Sequence, residues 1–502
     1  MTHPGLPEFW VMAIAILATI FVLHAMWSRK LRAFRFQGMA LNSVLAKSVL
    51  TRPWLLLIFK LVILGVFLLV IVAGLLGTPI PERNAATVLT WNLWWAGLIL
   101  AVFLFGSAWC GMCPWDTLAT WLVKMRTWGK NRAAISLNMK VPAKWRNIWA
   151  ATFMFIGLTW LELGVGVTTS PYMTALLSLL MIVLATITLA LYEGKAFCHY
   201  ICPVGRTIGF YSQLTPLKLR PVDGDVCASC KTHECFHGSD KIEACPTHLM
   251  IGNLQQSTYC TSCGNCTQSC PHENISWRLQ SVSHEAIQDA RPHWDEAWFM
   301  LVLLSLTSFH GLTMLPGWEA QMGQLAQVIN DSGQLLWSFS IGLVVSMIAP
   351  ILVYMLCIWV WQRITQSKQS FRQLFSGMAF LAIPLAFSYH LAHNLNHLLR
   401  EGSDLSELLS NPLGQGALPL SSAELHARHM SMWLSQDVLF AIQAGLMVFG
   451  MWIAVKVIRH RAFALMPELQ QTPSKLWPVL VFVLLTTALN TWLLAQPMVM
   501  RM

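Results

Sequence analysis

Charge is the first thing in short supply. Only 11% of the 502 residues are Asp, Glu, Lys or Arg, and 55% are hydrophobic; an ordinary soluble domain carries roughly a quarter charged residues. Such a composition belongs in a membrane. No hydrolase-type triad, glycine-rich nucleotide loop or flavin motif occurs, so turnover of a substrate by this chain alone is not expected. The absence of any Cys-x-x-Cys-His excludes covalent c-type haem. No Lys or Arg precedes the first apolar stretch, Phe9 to Trp27, so it reads as a retained helix rather than a secretory leader. Isolated cysteines are scarce too. Of 13, all but Cys357 fall in short clusters, several followed by Pro, which argues against a disulfide framework and for cofactor ligation. Cys357, alone in an apolar run, reads as a small buried hydrophobe.

Long apolar runs are abundant. A hydrocarbon core of about 30 Å takes about 20 residues of helix, and ten stretches qualify: 9–27, 53–77, 88–109, 147–166, 171–192, 297–315, 335–361, 374–399, 433–458 and 476–495. Lys and Arg set the orientation. With both termini outside, the inner loops carry 27 of them and the outer segments only Arg83, Arg400, Arg428 and Arg501. The net charge of +10 is therefore a topology signal, and nucleic acid is not an expected partner. The expected architecture is an all-α polytopic membrane protein. Residues 1–192 hold five spans, 193–296 a cytoplasmic insert, and 297–502 five more spans.

The insert contains Cys260-Thr-Ser-Cys263-Gly-Asn-Cys266-Thr-Gln-Ser-Cys270-Pro271, the C-x2-C-x2-C-x3-C-P spacing of a cubane ligand run. A stretched version precedes it: Cys227, Cys230, Cys235 and Cys245-Pro246. In two-cluster ferredoxins the fourth cysteine of each run serves the other cluster. Two [4Fe–4S] clusters are thus expected, one on Cys227, Cys230, Cys235 and Cys270, the other on Cys260, Cys263, Cys266 and Cys245. Paired knuckles also bind zinc, but eight thiolates in two interlocking runs favour iron–sulfur.

Two further pairs end apolar stretches on the inner side: Cys110-Gly-Met-Cys113-Pro114 and Cys198-His-Tyr-Ile-Cys202-Pro203. A shared metal or iron–sulfur centre, a redox dithiol and simple helix-end packing all fit them. Cys-Pro pairs at helix ends followed by a two-run cytoplasmic segment resemble membrane polyferredoxins of the NapH/NosR type, over roughly residues 53–280. Residues 198–202 have that family's C-x3-C-P form; 110–113 are one residue shorter. The resemblance implies a bacterial inner membrane and electron transfer supporting a periplasmic redox enzyme, with a c-type cytochrome or copper protein as partner. Related polyferredoxins accompany oxidase maturation and iron uptake, so a redox accessory to iron or copper handling is the alternative.

The remaining ligand-type residues lie on the outer side. His390, His393 and His397 share one face of the eighth stretch at i, i+3 and i+7. His310 lies in the outer half of the sixth, and His426 and His429 precede the ninth. Polar residues inside a span usually face a bundle interior or cavity. A bis-His b-type haem is the favoured expectation; a quinone pocket, another metal or hydrogen bonds between helices are the alternatives. Glu162 and Asp437 are expected to be solvated near the interface.

Overall fold

A computed structural model describes residues 2–28, 39–40, 53–125, 135–401, 405–430 and 432–499. Basic residues of the first inner loop (Arg29 to Arg52), three of the second (Arg126, Lys130, Arg132) and Arg501 lie outside them, as do the side chains of Arg428 and His429. The main helices are α1 Glu8–Trp27, α2 Pro53–Leu76, α3 Ala85–Phe105, α4 Trp149–Val165, α5 Pro171–Leu191 and α6 Trp294–Thr313. They are followed by α7 Pro316–Ile329, α8 Leu336–Thr365, α9 Phe371–Arg400, α10 Gln436–Leu465 and α11 Pro473–Ala495.

Eight of these helices are long and apolar enough to cross a membrane, or nine if the bent pair α6–α7 counts as one span. The expected ten is thereby lowered at two places. The 147–166 stretch forms only a short apolar helix, because its last turn widens into a π-turn at Leu161–Val165 and stops at Gly166, whose φ of 79° is left-handed. The sixth stretch ends at Thr313, where the chain turns by 94° into α7, with Pro316 beginning the new helix.

Burial is uneven along the bundle. α2 is largely exposed and presents Leu61, Val62, Val66 and Val72 outward, as a helix facing lipid tails does. α9 is buried along its whole length, packed against α10, α6 and α3. Only such a central helix can carry His390, His393, Asn394, Asn396 and Arg400 together, all buried; facing lipid, each would cost several kcal/mol. Cys357 of α8 is buried, and Asp437 is exposed.

The long segment between α5 and α6 is not a helical bundle. Leu217–Pro221 and Ile275–Leu279 pair antiparallel, from Leu217 opposite Leu279 to Pro221 opposite Ile275, and Met39–Ala40 adds to the other edge of the second strand. A buried carboxylate ties this sheet to the membrane helices. Glu285 meets Lys218 at 2.7 Å and Arg220, and accepts from the Ser257 backbone and hydroxyl at 2.8 and 2.9 Å. Beside it, Arg461 of α10 donates to the Ala286 carbonyl at 2.7 Å.

Candidate functional site

The sheet closes the segment's two cysteine runs against each other. Cys227 lies on a turn, Gly224–Ser229, whose start is capped by Asp223 accepting from Asp225 N. Cys235 lies on the turn Glu234–His237, and Cys270 ends the turn Asn265–Ser269. With Cys230, these line one cavity. A second cavity is lined by Cys245, Cys260, Cys263 and Cys266. Each cavity takes three cysteines from one run and the fourth from the other.

Nearby N–H groups point at sulfur, as thiolate ligands of a cluster require. Leu249 N donates to Cys245 Sγ at 3.3 Å, Ser262 N to Cys260 Sγ at 3.4 Å, and Asn274 N and Nδ2 to Cys270 and Cys227 Sγ, each at 3.4 Å. Ser262 and Gly264 hold positive φ, 49° and 78°, which turns the loop tightly enough to expose those donors. Among the described residues no group of three or more His, Cys, Asp or Glu closes on a point that could hold one metal ion. The thiols stand around voids instead, which fits a cubane better than a single zinc.

The two cavities differ in access to water. Burial pushes the Cys260 thiol up to about 11 and raises Cys266 as well, with neighbouring thiols adding to it. At the other cavity burial raises Cys227 and Cys235 too, while the half-buried Cys230 is shifted down, first by a hydrogen bond from the His233 backbone. The Cys227 cavity is the wet one and the Cys260 cavity the dry one.

Beyond the dry cavity lie the two membrane-edge pairs. Cys110 is on a short α-turn, Ala108–Met112; Cys113 breaks it with an extended backbone, and Pro114 starts the next helix. Cys198 is on a π-turn, Phe197–Ile201; Cys202 breaks that turn in the same way, and Pro203 starts the next helix. The i→i+5 bond from Cys202 N to Phe197 O, 2.8 Å, absorbs the extra residue. The pairs are therefore equivalent in build despite their different spacing. All four sulfurs are within electrostatic reach of one another. Burial raises them, with Cys113, Cys198 and Cys202 at about 12. Thiols held neutral in this way ionise only against a strong local cation, which bound iron supplies.

Close backbone contacts join this tetrad to the dry cavity. A methyl group on Gly111 would sit 3.0 Å from the Ser262 carbonyl, and one on Gly209 would overlap the Thr258 carbonyl. Arg206, fully buried, donates to the Cys198 carbonyl at 2.9 Å and the Thr258 carbonyl at 3.1 Å, and stacks over Tyr259. Lys195 and Asp116, 2.7 Å apart, link the chain just before Cys198 to the helix that follows Cys113.

The cysteines follow the C-terminal ends of α3 and α5, whereas the membrane histidines gather near the C-terminal ends of α6 and α9. The two groups are carried by different pairs of helices and meet through His390 alone, which reaches Tyr211 on the helix that follows Cys202. His310 and His393 rings are 5.3 Å apart, and His393 and His397 5.2 Å, both edge to face. Two axial haem ligands instead oppose each other across a flat ring, so neither pair is set for a porphyrin. His390 points elsewhere: its Nδ1 is 3.1 Å from the Tyr211 hydroxyl and its ring 5.6 Å from Trp95. His426 is exposed on the helix Ser422–Met430, away from this group, and the His429 side chain lies outside the described residues. Glu162 departs from expectation. It is largely buried, with its carboxylate 3.9 Å from His310 Nδ1. Sequence position gave its depth in the membrane but not the histidine on the neighbouring helix.

A family model described as a 4Fe-4S binding domain matches residues 87–132 and 175–220, the two segments that hold the membrane-edge pairs. The chain is 28% identical over 135 residues to YccM of Escherichia coli (strain K12), provisionally named an electron transport protein; the match covers 26% of this chain and 35% of that one. It is 24% identical over 200 residues to MJ0749 of Methanocaldococcus jannaschii, an uncharacterised protein, covering 39% of this chain and 73% of the other. The match to YccM thus spans about a third of that relative's length. No solved structure matches.

Proposed function

We propose that this chain is a membrane iron–sulfur protein that carries electrons through three four-thiolate centres. The observation that carries this reading is the interleaving of the insert: three cysteines of each run and the last of the other surround one cavity, twice. Two [4Fe–4S] clusters fit these donors, supplying one-electron steps whose potentials depend on burial and N–H···S bonds. Cys110, Cys113, Cys198 and Cys202 form the third centre, a role supported by their mutual approach and by the 4Fe-4S binding segments that contain them. Cys227, Cys230, Cys235 and Cys270 would hold the cluster nearer water, Cys245, Cys260, Cys263 and Cys266 the more buried one, and the Gly111–Ser262 contact would set the approach of the latter to the membrane-edge thiols.

By the Lys and Arg distribution the insert is cytoplasmic, in a bacterial inner membrane. The function is exchange of electrons between a cytoplasmic or quinone pool and a periplasmic redox protein, a c-type cytochrome or copper protein. Iron or copper handling is the weaker reading, since no group among the described histidines closes on a metal ion. A haem b is not assigned, because the imidazole rings touch each other rather than flank a gap.

Anaerobically purified protein, counted for iron and examined by EPR after dithionite, tests the reading. About twelve irons per chain with interacting [4Fe–4S] signals is the expected result. About eight would remove the membrane-edge centre, and none would overturn the proposal.

A further inference from the structure

His390 turns away from the other imidazoles, toward the helix that follows the second membrane-edge pair. Its Nδ1 lies 3.1 Å from the hydroxyl of Tyr211, the last residue of the helix Pro203–Tyr211. Tyr211 is fully buried, and a buried hydroxyl can pass its proton only to a partner already in place. With Nδ1 accepting from the phenol, the imidazole carries its own proton on Nε2. A phenol and a basic nitrogen in one hydrogen bond, shut off from water, can lose an electron and hand over a proton together.

A column of tryptophans joins this pair to the membrane-edge thiols. Trp109, next to Cys110, is 5.6 Å from Trp94; Trp115, two residues after Cys113, is 6.0 Å from it. Trp94 is 5.9 Å from Trp95, and Trp95 is 5.6 Å from the His390 ring. Trp95 also borders the cavity lined by Glu162, His310 and His397. The indole N–H groups of Trp94, Trp95 and Trp115 are buried with no hydrogen-bond partner among the described residues. Indole is a donor only, so an oxidised ring in this column has nowhere to send its proton. It stays a cation and is refilled by the next ring. The phenol is the first group along the column that can shed a proton as it loses an electron, and a hole comes to rest there. Tyr211 is nine residues after Cys202, about 14 Å of helix, so that resting place is apart from the oxidisable sulfurs.

We propose that Tyr211, with His390 as its proton acceptor, is a redox-active tyrosine that draws oxidising equivalents off the membrane-edge thiolates through the tryptophan column. The inference rests on the electron-transfer reading above. Hydrogen peroxide at the reduced centre takes one electron there and a second from Trp109 or Trp115; its O–O bond breaks and two hydroxide ions form. The indole is refilled through Trp94 and Trp95 by Tyr211, whose O–H bond breaks. The electron goes to the column and the proton to His390 Nδ1, leaving a neutral tyrosyl and an imidazolium. One electron from the reduced centre and the proton from His390 restore both side chains.

The test uses full-length, cluster-loaded protein in detergent, reduced with dithionite, freed of reductant and frozen within seconds of adding hydrogen peroxide. Iron is counted on the same sample. EPR of the wild type is expected to show a neutral tyrosyl radical. Tyr211→Phe is expected to abolish that signal and to lose iron to peroxide several times faster. Its iron content as isolated and its cluster reoxidation by ferricyanide are expected to be unchanged. His390→Gln, which keeps the phenol and removes the base, is expected to abolish the signal too; Trp94→Phe, which interrupts the column, is expected to weaken it. A full iron count with no tyrosyl in wild type, or with the same tyrosyl in Tyr211→Phe, overturns the proposal, since a phenol that only fills a hydrogen bond yields no radical. Equal tyrosyl yield in Trp94→Phe overturns the route through the column. Protein without iron would sink the electron-transfer reading and this proposal with it, and the iron count separates the two failures.

Discussion

The thiol end and the imidazole end of this protein are both rich in ligand-type side chains, yet they are packed in opposite ways. In the cysteine segment eight thiols stand back around two voids, each with N–H donors aimed at sulfur. In α9 and α6 the imidazoles close on each other, ring against ring, and the void lies beside them. Residues that are to surround a rigid cofactor leave its volume open. Residues that pack together have satisfied themselves, and any ligand binds next to them. The thiols are therefore arranged as donors around open space, and the imidazoles as packed side chains beside it.

The sharpest way to break this comparison is to remove one ligand from each end. Cys266→Ser takes a ligand from the dry cavity, and about four irons per chain should be lost together with one EPR component. The wet cluster should survive only if the sheet still holds Cys270 in place. His393→Leu should leave the iron count untouched, because no cluster depends on it. Iron lost equally from both variants would mean that the imidazoles hold iron too, and the contrast would fail. The next effect in size is Glu285→Gln, measured by thermal unfolding of the holoprotein. It leaves Lys218 and Arg220 buried beside a neutral amide, for which a loss of about 3–5 kcal/mol is expected.

The same comparison explains what could be read from the sequence. Cluster ligation is a local pattern, three cysteines within seven residues and a Pro, so spacing names the residues before any fold is known. The same pattern led to the expectation that Cys270 goes with the Cys227 run and Cys245 with the Cys260 run, and each lines that run's cavity. Apolar length found the helices but not where they stop: α4 falls short through its π-turn, and α6 bends away ahead of Pro316. The imidazole end depends on which faces of α3, α4, α6 and α9 meet, and one chain's periodicity does not contain that. Glu162 looked like an interfacial carboxylate until His310 was placed opposite it. The unequal spacing of the two membrane-edge pairs looked like a mismatch until Cys198 was found on a π-turn. The tryptophan column had no signal in spacing, since Trp94, Trp109 and Trp115 come from three different helical pieces.

A smaller effect probes how the two ends communicate. Gly209→Ala puts a methyl group into the Thr258 carbonyl, so the helix Pro203–Tyr211 must back away from the cysteine segment. A loss of about 1–3 kcal/mol is expected, seen as a lower unfolding temperature, with all clusters assembled but slower electron passage from the dry cluster to the membrane edge. Loss of the wet cluster in this variant would show that the segment depends on the membrane helices to fold.

The smallest expected change is at His426. Its side chain is exposed on the helix Ser422–Met430 and takes no part in the ring contacts of α6 and α9. His426→Ala should shift stability by less than about 0.5 kcal/mol, as surface substitutions do, with iron content unchanged. The helix that carries it packs on α9, so a larger loss would mean that this imidazole helps to hold the helix there. The imidazole end would then depend on a surface helix for its packing, as the thiol end depends on its sheet.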